Sequence, residues 1–381
     1  MSRMAEPAAG DAAPIEYENL ARSNARFIDE MQAAAARVIR GGWYVLGEEV
    51  RAFEQEFAAW VGARHCIGVA NGLDALQLSF EALGLPRGSG VLVASNSYIA
   101  TILAILRAGL VPVLCEPDPA TFNTDPASLR AAMVSGVRAV CVTHMFGKAC
   151  RMDAIGDFAR EHGLRVVEDC AQSHGAKLGA RTTGTFGNAG CFSFYPTKNL
   201  GAAGDAGAVV TDDDALADRL RHLRNYGSMQ KYVNVYPGTN SRLDEMQAAM
   251  LRVKLRGLDV ITAHKRALAA RYFDLLAPLS ARGALILPRQ QADEFDVFHI
   301  FGIRHRRRDA LREHLLARGI RTEIHYPIPP HRQQAMAGVL SGDWPIADEL
   351  HATELSLPIS IGHVAADVDR VAAAVAAFDD A

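Results

Sequence analysis

The sequence predicts an α/β fold in which a large domain holds a mostly parallel seven-stranded sheet and a smaller C-terminal α+β domain follows. Three observations lead to this prediction. Short apolar runs recur through the first half of the chain, amphipathic stretches separate several of them, and long helical stretches take over from about Asp244. Continuous apolar runs are typical of strands covered on both faces, and strand–helix alternation produces a largely parallel sheet.

The predicted elements follow one another in a regular order. Strands are expected at residues 66–70, 91–95, 111–115, 138–143, 164–169, 190–194 and 206–211. Apolar residues spaced three and four apart predict helices at residues 73–83, 98–109 and 152–163. After Asp244 come a long helical stretch broken near Gly257, a strand–helix–strand unit over residues 298–328, and a last helix.

The length of 381 residues favours two domains. We place a flexible lead-in rich in Ala and Pro at residues 1–20, the large domain at 21–255 and the small domain at 256–381.

Composition excludes several classes of function. A formal net charge of −3 argues against binding to nucleic acid or to a membrane surface, and the apolar runs are too short to span a bilayer. We interpret the basic run Arg304–Arg308 as a solvated face. The histidines show no paired spacing typical of zinc, so no metal site is expected. Six cysteines without a CxxC pair favour reduced, buried thiols in a cytoplasmic enzyme.

Three predicted strand ends carry residues suited to chemistry, and ligands of open α/β sheets bind beyond the carboxyl ends of strands. Gly72 opens a helix and is either a phosphate-binding turn or an ordinary one. Asp169 is either a helix cap or the partner of a protonated ring nitrogen. Lys198 is either a surface charge or a desolvated Schiff-base lysine. Together the three match the requirements of pyridoxal 5'-phosphate (PLP).

Seven longer motifs carry a family resemblance. They are GGWYVLGEEVRAFEQEFA (41–58), NGLDAL (71–76), SNSYIAT (95–101), VVEDCAQSHGA (166–176), FSFYPTKNLGAAGDAGAVVT (192–211), LRNYGS (223–228) and NSRLDEMQAAML (240–251). In this order the chain resembles the DegT/DnrJ/EryC1/StrS family of sugar aminotransferases. The resemblance implies a fold-type I PLP-dependent transferase, L-glutamate as the amino donor, and a homodimer with shared active sites.

The resemblance also implies roles for single residues. Lys198 matches the Schiff-base lysine, and Asp169 matches the carboxylate beneath the pyridine nitrogen. Gln172 matches the residue beside the ring and its 3-hydroxyl group. Tyr98 matches an aromatic side chain that stacks on the ring face.

The phosphate-binding residues are implied in the same way. Gly72 and Leu73 match the phosphate-binding turn, although many members carry Thr or Ser at the position of Leu73. Ser193 matches a hydroxyl that donates to the phosphate. Asn225 matches an asparagine that reaches the phosphate from the partner subunit.

The substrate expectation is a dTDP-3-keto-6-deoxyhexose aminated at C-3, with a UDP-linked 3-keto sugar as the alternative. Tyr195, Lys231, His325 and Tyr326 match positions near the sugar and its diphosphate. The plainer interpretation keeps Lys231 as a surface charge and leaves His325 and Tyr326 as packing at a strand end. Lys148 stands where the family often has Gln. It is either a surface replacement, which we favour, or a residue that alters the substrate mouth.

Rival functions differ at the same residues. A PLP-dependent sugar dehydratase of this fold carries histidine in place of Lys198. A non-catalytic regulator or binding protein is expected to lose Lys198 or Asp169. A dinucleotide-dependent oxidoreductase is disfavoured because no GxGxxG motif follows the first predicted strand.

Overall fold

The computed structural model describes residues 13–379 of the chain. The strands are β1 His65–Val69, β2 Gly90–Ala94, β3 Val111–Cys115, β4 Val137–Thr143, β5 Arg165–Asp169, β6 Lys177–Leu178, β7 Arg181–Thr182, β8 Ala189–Ser193, β9 Gly207–Thr211, β10 Glu294–Phe295, β11 Phe301–Arg304 and β12 Glu354–Leu357. The helices are α1 Leu20–Asn24, α2 Ile28–Gly41, α3 Glu48–Val61, α4 Gly72–Leu83, α5 Ile99–Arg107, α6 Pro126–Ala132, α7 Met152–Glu161, α8 Asp214–Leu223, α9 Glu245–Leu255, α10 Leu258–Ala281, α11 Arg308–Ala317, α12 Pro345–Thr353 and α13 Ala365–Asp379.

Seven strands form the main sheet in the order β1–β9–β8–β5–β4–β2–β3. All neighbours pair in parallel except β9, which runs antiparallel to both β1 and β8. The predicted sheet of seven mostly parallel strands is confirmed, and each of the seven strands predicted for this sheet overlaps an observed one. The carboxyl ends of β1, β5 and β8 therefore meet at one edge of the sheet.

Helices cover both faces of this sheet, which explains why apolar and polar residues do not alternate along its strands. Val209 packs with α4, α5 and α8 in one cluster, while the adjacent Val210 packs with α2, α3 and α9 in another. Successive side chains of a strand point to opposite faces, so both residues are buried. Helix α4 begins where the Asn71 side chain accepts a hydrogen bond from the backbone N–H of Asp74 at 2.8 Å.

The C-terminal region packs α10, α11 and α13 around the antiparallel pair β11–β12. The strand predicted at residues 320–328 is wrong, because this stretch makes only isolated bridges, one of them between Glu323 and Ser356. The strand that pairs with β11 is β12, which the sequence pattern missed. Helix α9 ends at Leu255 and α10 begins at Leu258, on either side of the predicted domain boundary.

Residues at the N-terminus join this C-terminal region. The Ile15 side chain is 2% exposed, and its backbone N–H donates to Gly319 O at 2.8 Å. The structure therefore differs from the predicted lead-in over residues 13–20, and residues 1–12 lie outside the described residues.

Only the middle of the basic run is the solvated face that we predicted, because Arg306 and Arg307 are exposed whereas Arg304 and Arg308 are buried. The guanidinium of Arg304 donates to Pro119 O at 3.1 Å and pairs with Glu349. Arg308 donates to the backbone oxygens of His351 and Glu354 at 3.1 and 3.0 Å. Because buried backbone oxygens need donors, these two arginines pack inward and tie β11 and α11 to their neighbours.

Two further expectations concern the whole chain. All six cysteines are free and buried, as predicted. Among residues 13–379, no helix combines the length and the apolar character that crossing a membrane requires.

Candidate active site

The carboxyl ends of β1, β5 and β8 open into a cleft of about 580 Å³. Most of the predicted site residues line it: Gly72, Leu73, Tyr98, Asp169, Gln172, Ser193, Tyr195, Lys198, His325 and Tyr326. These residues come from both halves of the chain. The cleft therefore lies between the main sheet and the segment that follows Ile320.

Asp169 ends β5 and is 5% exposed. One carboxylate oxygen accepts a hydrogen bond from Thr101 Oγ1 at 2.7 Å, and the other accepts one from the Ala171 N–H at 3.1 Å. Burial raises the pKa of this carboxyl group, while its two hydrogen bonds and the charge of Lys198 oppose the rise. A cation placed against Asp169 in the cleft would hold it ionised.

Lys198 lies in the loop between β8 and β9 and lines the same cleft. Burial lowers the pKa of its amine to about 8, and the nearby charge of Asp169 acts in the opposite direction. A desolvated lysine of this kind is neutral far more often than a surface lysine, so it can act as a nucleophile or as a base.

The loop that carries Lys198 is held by contacts on both sides. The Lys198 N–H donates to Tyr195 O at 2.8 Å, and the Asn199 amide donates to Val297 O at 3.1 Å. The buried Lys265 donates from Nζ to Asn199 Oδ1 at 2.8 Å and to His299 O at 3.1 Å. The backbone of the loop that bears Lys198 is thus held in place by contacts with the C-terminal half of the chain.

The first turn of α4 approaches the end of β8 closely. A Cβ atom on Gly72 would lie 2.6 Å from Cβ of Ser193, so only glycine fits here. Gly72 and Leu73 begin the twelve-residue helix α4, whose first N–H groups point outward at the positive end of the helix dipole. This turn and the Ser193 hydroxyl form a cup for an anion at the cleft wall.

Aromatic and amide groups form the opposite wall. The ring of Tyr98 is 48% exposed and lies 4.7 Å, centre to centre, from the ring of Tyr326. Gln172 Nε2 donates to the Tyr326 hydroxyl at 3.0 Å, and Gln172 Oε1 accepts from the Phe146 N–H at 2.6 Å. The cleft has space for a flat ring between Tyr98 and Asp169, which ends β5.

Two predicted residues lie outside the cleft. Asn225 donates to Ser228 O at 3.2 Å and accepts from Arg242 at 3.0 Å. Lys231 is exposed, with its amine 5.0 Å from the ring centre of Tyr232. Their implied roles, one of which involves a partner subunit, remain predictions.

Lys148 is not the surface replacement that we predicted. It is 6% exposed, and its amine forms ion pairs with Glu294 and, at 3.2 Å, with Asp296. The loop after β4 is thereby joined to residues 294–300, which precede β11. The sequence gave no sign of this pairing, because the carboxylates lie more than 140 residues away.

Residue patterns also missed several groups of the cleft. Thr101 lies inside a predicted helix, and only its contact with Asp169 gives it a role. His299 and Asp205 line the cleft as well. Each looks ordinary in sequence because its neighbours in space come from other elements.

The sequence profile of the DegT/DnrJ/EryC1/StrS aminotransferase family matches residues 26–376. The chain belongs to the DegT/DnrJ/EryC1/StrS aminotransferase family. The predicted family and the predicted class of enzyme are confirmed, and the family is one of aminotransferases.

Relatives with curated names agree over nearly the full length. A dTDP-3-amino-3,6-dideoxy-alpha-D-galactopyranose transaminase from Aneurinibacillus thermoaerophilus is 45% identical over 95% of this chain and 98% of its own. A dTDP-3-amino-3,4,6-trideoxy-alpha-D-glucose transaminase from Streptomyces venezuelae is 48% identical over 87% of each chain. The crystal structure of S. venezuelae DesV superposes with a TM-score of 0.94, covering 97% of this chain and 100% of that one at 44% identity.

Proposed function

We propose that this protein is a PLP-dependent aminotransferase that moves the amino group of L-glutamate to C-3 of a dTDP-linked 3-keto-6-deoxyhexose. The observation that carries the proposal is the convergence of Lys198, Asp169 and the α4 turn on one cleft. The two curated relatives described above are named as transaminases of dTDP-3-amino sugars, which supports C-3 and dTDP.

The cleft fits PLP at three points. Asp169 is a buried carboxylate whose pKa is raised by burial, and a protonated ring nitrogen would supply its missing counter-charge. The Gly72–Ser193 cup would hold the phosphate, because Gly72 carries no side chain and the α4 N-terminus offers free backbone N–H groups beside the Ser193 hydroxyl. Tyr98 offers an exposed face for the ring.

The residues of the chain then have distinct tasks. When bound, PLP supplies the electron sink that stabilises negative charge at the reacting carbon. Lys198 Nζ would hold the cofactor, and its neutral amine would move the proton between the α-carbon of the donor and the cofactor. Asp169 would keep the ring nitrogen protonated. Gln172 is positioned by Phe146 to hydrogen-bond beside the ring.

The sugar end of the cleft is formed by Tyr195, His325 and Tyr326. These side chains offer hydroxyl and imidazole groups to a polar substrate, while Tyr98 and Tyr195 add exposed ring surface. A keto sugar would enter here with its diphosphate toward the rim. A UDP-linked 3-keto sugar is the alternative substrate, and the experiment below distinguishes the two.

A homodimer would complete the site. The segments 39–45 and 226–235 are rich in exposed apolar side chains, among them Trp43 at 68% and Tyr232 at 87%. Val45 forms a β-bridge with Asp244, and Asn225, which directly precedes the second segment, forms one with Asn240. Large contiguous apolar surface marks an interface, and a second copy would bring Asn225 and Lys231 to its neighbour's cleft. The six reduced cysteines favour a cytoplasmic location.

The experiment that tests the proposed function is an absorbance titration of the purified holoenzyme. Addition of L-glutamate should convert the visible cofactor band to the shorter-wavelength amine form. A dTDP-3-keto-6-deoxyhexose should then restore the first band, and the matching UDP sugar should restore it more slowly. A protein that takes up no PLP would be a non-catalytic binding protein, and the proposal would fail.

A further inference from the structure

A chain of three side chains runs from the interior of the C-terminal region to the wall of the cleft. His325 Nδ1 lies 2.8 Å from Ser356 Oγ, and Ser356 Oγ lies 2.5 Å from Glu354 Oε1. Glu354 Oε2 accepts the backbone N–H of His325 at 2.7 Å. The carboxylate thus holds His325 twice, once directly through the backbone and once through the serine.

The local structure explains this arrangement. Glu354 and Ser356 are two residues apart on β12, so their side chains project from the same face of the strand. On one edge β12 pairs with β11, and on the other Ser356 pairs with Glu323, which brings His325 beside the strand. Glu354 and Ser356 are both fully buried, whereas His325 reaches the cleft.

We propose that Glu354 and Ser356 are positioning residues that select the tautomer of His325, so that Nε2–H donates into the cleft to an oxygen atom of the substrate. The inference rests on the proposed function in one respect, namely that the oxygen belongs to the nucleotide-linked keto sugar. Within residues 13–379, no group hydrogen-bonds His325 Nε2, which leaves this nitrogen for a ligand.

The selection follows from the single proton of the serine hydroxyl. A protonated Glu354 donates to Ser356 Oγ, Ser356 then donates to His325 Nδ1, and the imidazole proton resides on Nε2. An ionised Glu354 accepts from Ser356, Ser356 then accepts from Nδ1–H, and Nε2 becomes an acceptor. The tautomer that faces the cleft therefore depends on whether Glu354 holds a proton.

The surroundings set the state of each group. Burial raises the pKa of Glu354 to about 8, opposed by its hydrogen bonds and by Arg308. Burial, with help from the charge of Lys198, lowers the pKa of His325 to about 4, so the ring is neutral at pH 7. Further titratable and charged groups that face these two residues are Tyr17, His299 and Tyr326. At neutral pH the donor tautomer is expected, which suits a carbonyl or phosphate oxygen.

The test uses the PLP-loaded enzyme labelled with ¹⁵N at histidine, and NMR long-range correlations report the tautomer of His325. A His325→Gln variant assigns the signals. In the wild type we expect Nε2–H at pH 6.5 and a change toward Nδ1–H as the pH rises past about 8. Glu354→Gln should remain Nε2–H over the whole range, because an amide donates to Ser356 at every pH. A wild-type tautomer that does not change between pH 6 and 9.5 would overturn the proposal.

Kinetics provide a second measurement that a purely structural role would not move. Ser356→Ala should raise KM for the keto sugar about tenfold, the value of one hydrogen bond, and leave the donor half-reaction with L-glutamate within about twofold. Ser356→Thr, which keeps the hydroxyl, should restore KM. Equal loss in both half-reactions would contradict the proposal.

A matched control is available in the same region of the fold. Ser360 Oγ lies 2.9 Å from His363 Nδ1, a buried serine–histidine pair that does not line the cleft. Ser360→Ala should therefore leave KM for the sugar and the His325 signals unchanged. Inhibition by dTDP alone shows which substrate oxygen accepts the hydrogen bond from His325. If dTDP inhibits Ser356→Ala more weakly than the wild type, the oxygen belongs to the diphosphate. If inhibition is unchanged, the oxygen belongs to the sugar.

The two proposals fail in different ways. A wrong substrate assignment would show as no turnover of keto sugars by the wild type, with the NMR titration of His325 intact. If the proposed role of Glu354 and Ser356 is wrong, the wild type should turn over keto sugars normally, but the tautomer of His325 should change neither with pH nor in Glu354→Gln.

Discussion

At the scale of single residues, burial determines the chemistry of the cleft. Lys198 and Asp169 are ordinary charged residues in sequence. Desolvation lowers the pKa of Lys198 and raises the pKa of Asp169, so that it favours the neutral form of each. Each partly counters the shift of the other. A neutral amine and a carboxylate that lacks a cation are the two groups that PLP chemistry requires.

Capture of PLP by the enzyme freed of cofactor should accelerate as the pH rises from about 7 to 9. The neutral amine is the nucleophile, and the pKa of Lys198 is lowered to about 8, so its neutral fraction grows through this window and then levels off. Stopped-flow absorbance measures the rate. Lys198→Ala should show no covalent uptake at any pH, and normal uptake by that variant would remove Lys198 from its role.

Asp169→Asn should bind PLP but lose about a hundredfold or more in turnover, because an amide cannot hold the ring nitrogen protonated. Steady-state kinetics and cofactor content are measured on the same sample. Thr101→Val serves as the graded comparison, since it removes only one hydrogen bond to Asp169 and should cost less. A turnover number unchanged in Asp169→Asn would mean that another group pairs with the ring.

At the scale of elements, the loop after β4 is joined to the segment before β11 by buried charges. Lys148 lies between Glu294 and Asp296, and burial raises the pKa of both carboxyl groups while the Lys148 charge opposes it. The same loop positions Gln172 through Phe146. Loss of this ion cluster should therefore affect both stability and the cleft.

Lys148→Met should destabilise the protein by about 3 kcal/mol, because it removes the cation that pairs directly with two buried carboxylates and leaves them only the more distant Arg151 and Arg266. Denaturant unfolding at pH 7 measures the change. The exposed Lys177 on the neighbouring strand β6 provides the control, and Lys177→Met should change stability by less than about 0.5 kcal/mol. Equal effects of the two substitutions would show that the buried cluster contributes nothing special.

At the scale of the whole molecule, one cleft contains residues from both halves of the chain, and the proposed dimer would add residues from a second copy. Asn225 and Lys231 lie outside the cleft of their own subunit. Exposed apolar residues surround them, including Tyr226 and Tyr232. The active site shared between two subunits is therefore the property of the proposed dimer that an experiment can test most directly.

Mixing two defective variants tests the shared site. Lys198→Ala and Asn225→Ala should each be impaired alone. After subunit exchange about a quarter of the sites should become intact, because half of the dimers are mixed and each mixed dimer carries one undamaged site. Activity measured before and after exchange gives the answer. No recovery would mean that Asn225 serves its own subunit or that subunits do not combine, and light scattering separates these two results.

The sequence by itself determined the fold class, the seven strands and the three strand ends that bear Gly72, Asp169 and Lys198. Such features are local, because continuous apolar runs and helix periodicity reflect burial of each element on its own. The family motifs are local as well, so they identify the family without any tertiary contact.

Only the tertiary structure decided which groups meet across large separations in sequence. Lys148 was assigned to the surface because its partners Glu294 and Asp296 lie far along the chain. The sequence pattern missed strand β12, because its four residues directly follow α12 and are too few to show a periodicity. The hydrogen bonds from Glu354 through Ser356 to His325 depend on this strand and were therefore missed as well. Burial of a charge and the pairing that compensates it depend on packing, and packing brings together residues that no local pattern connects.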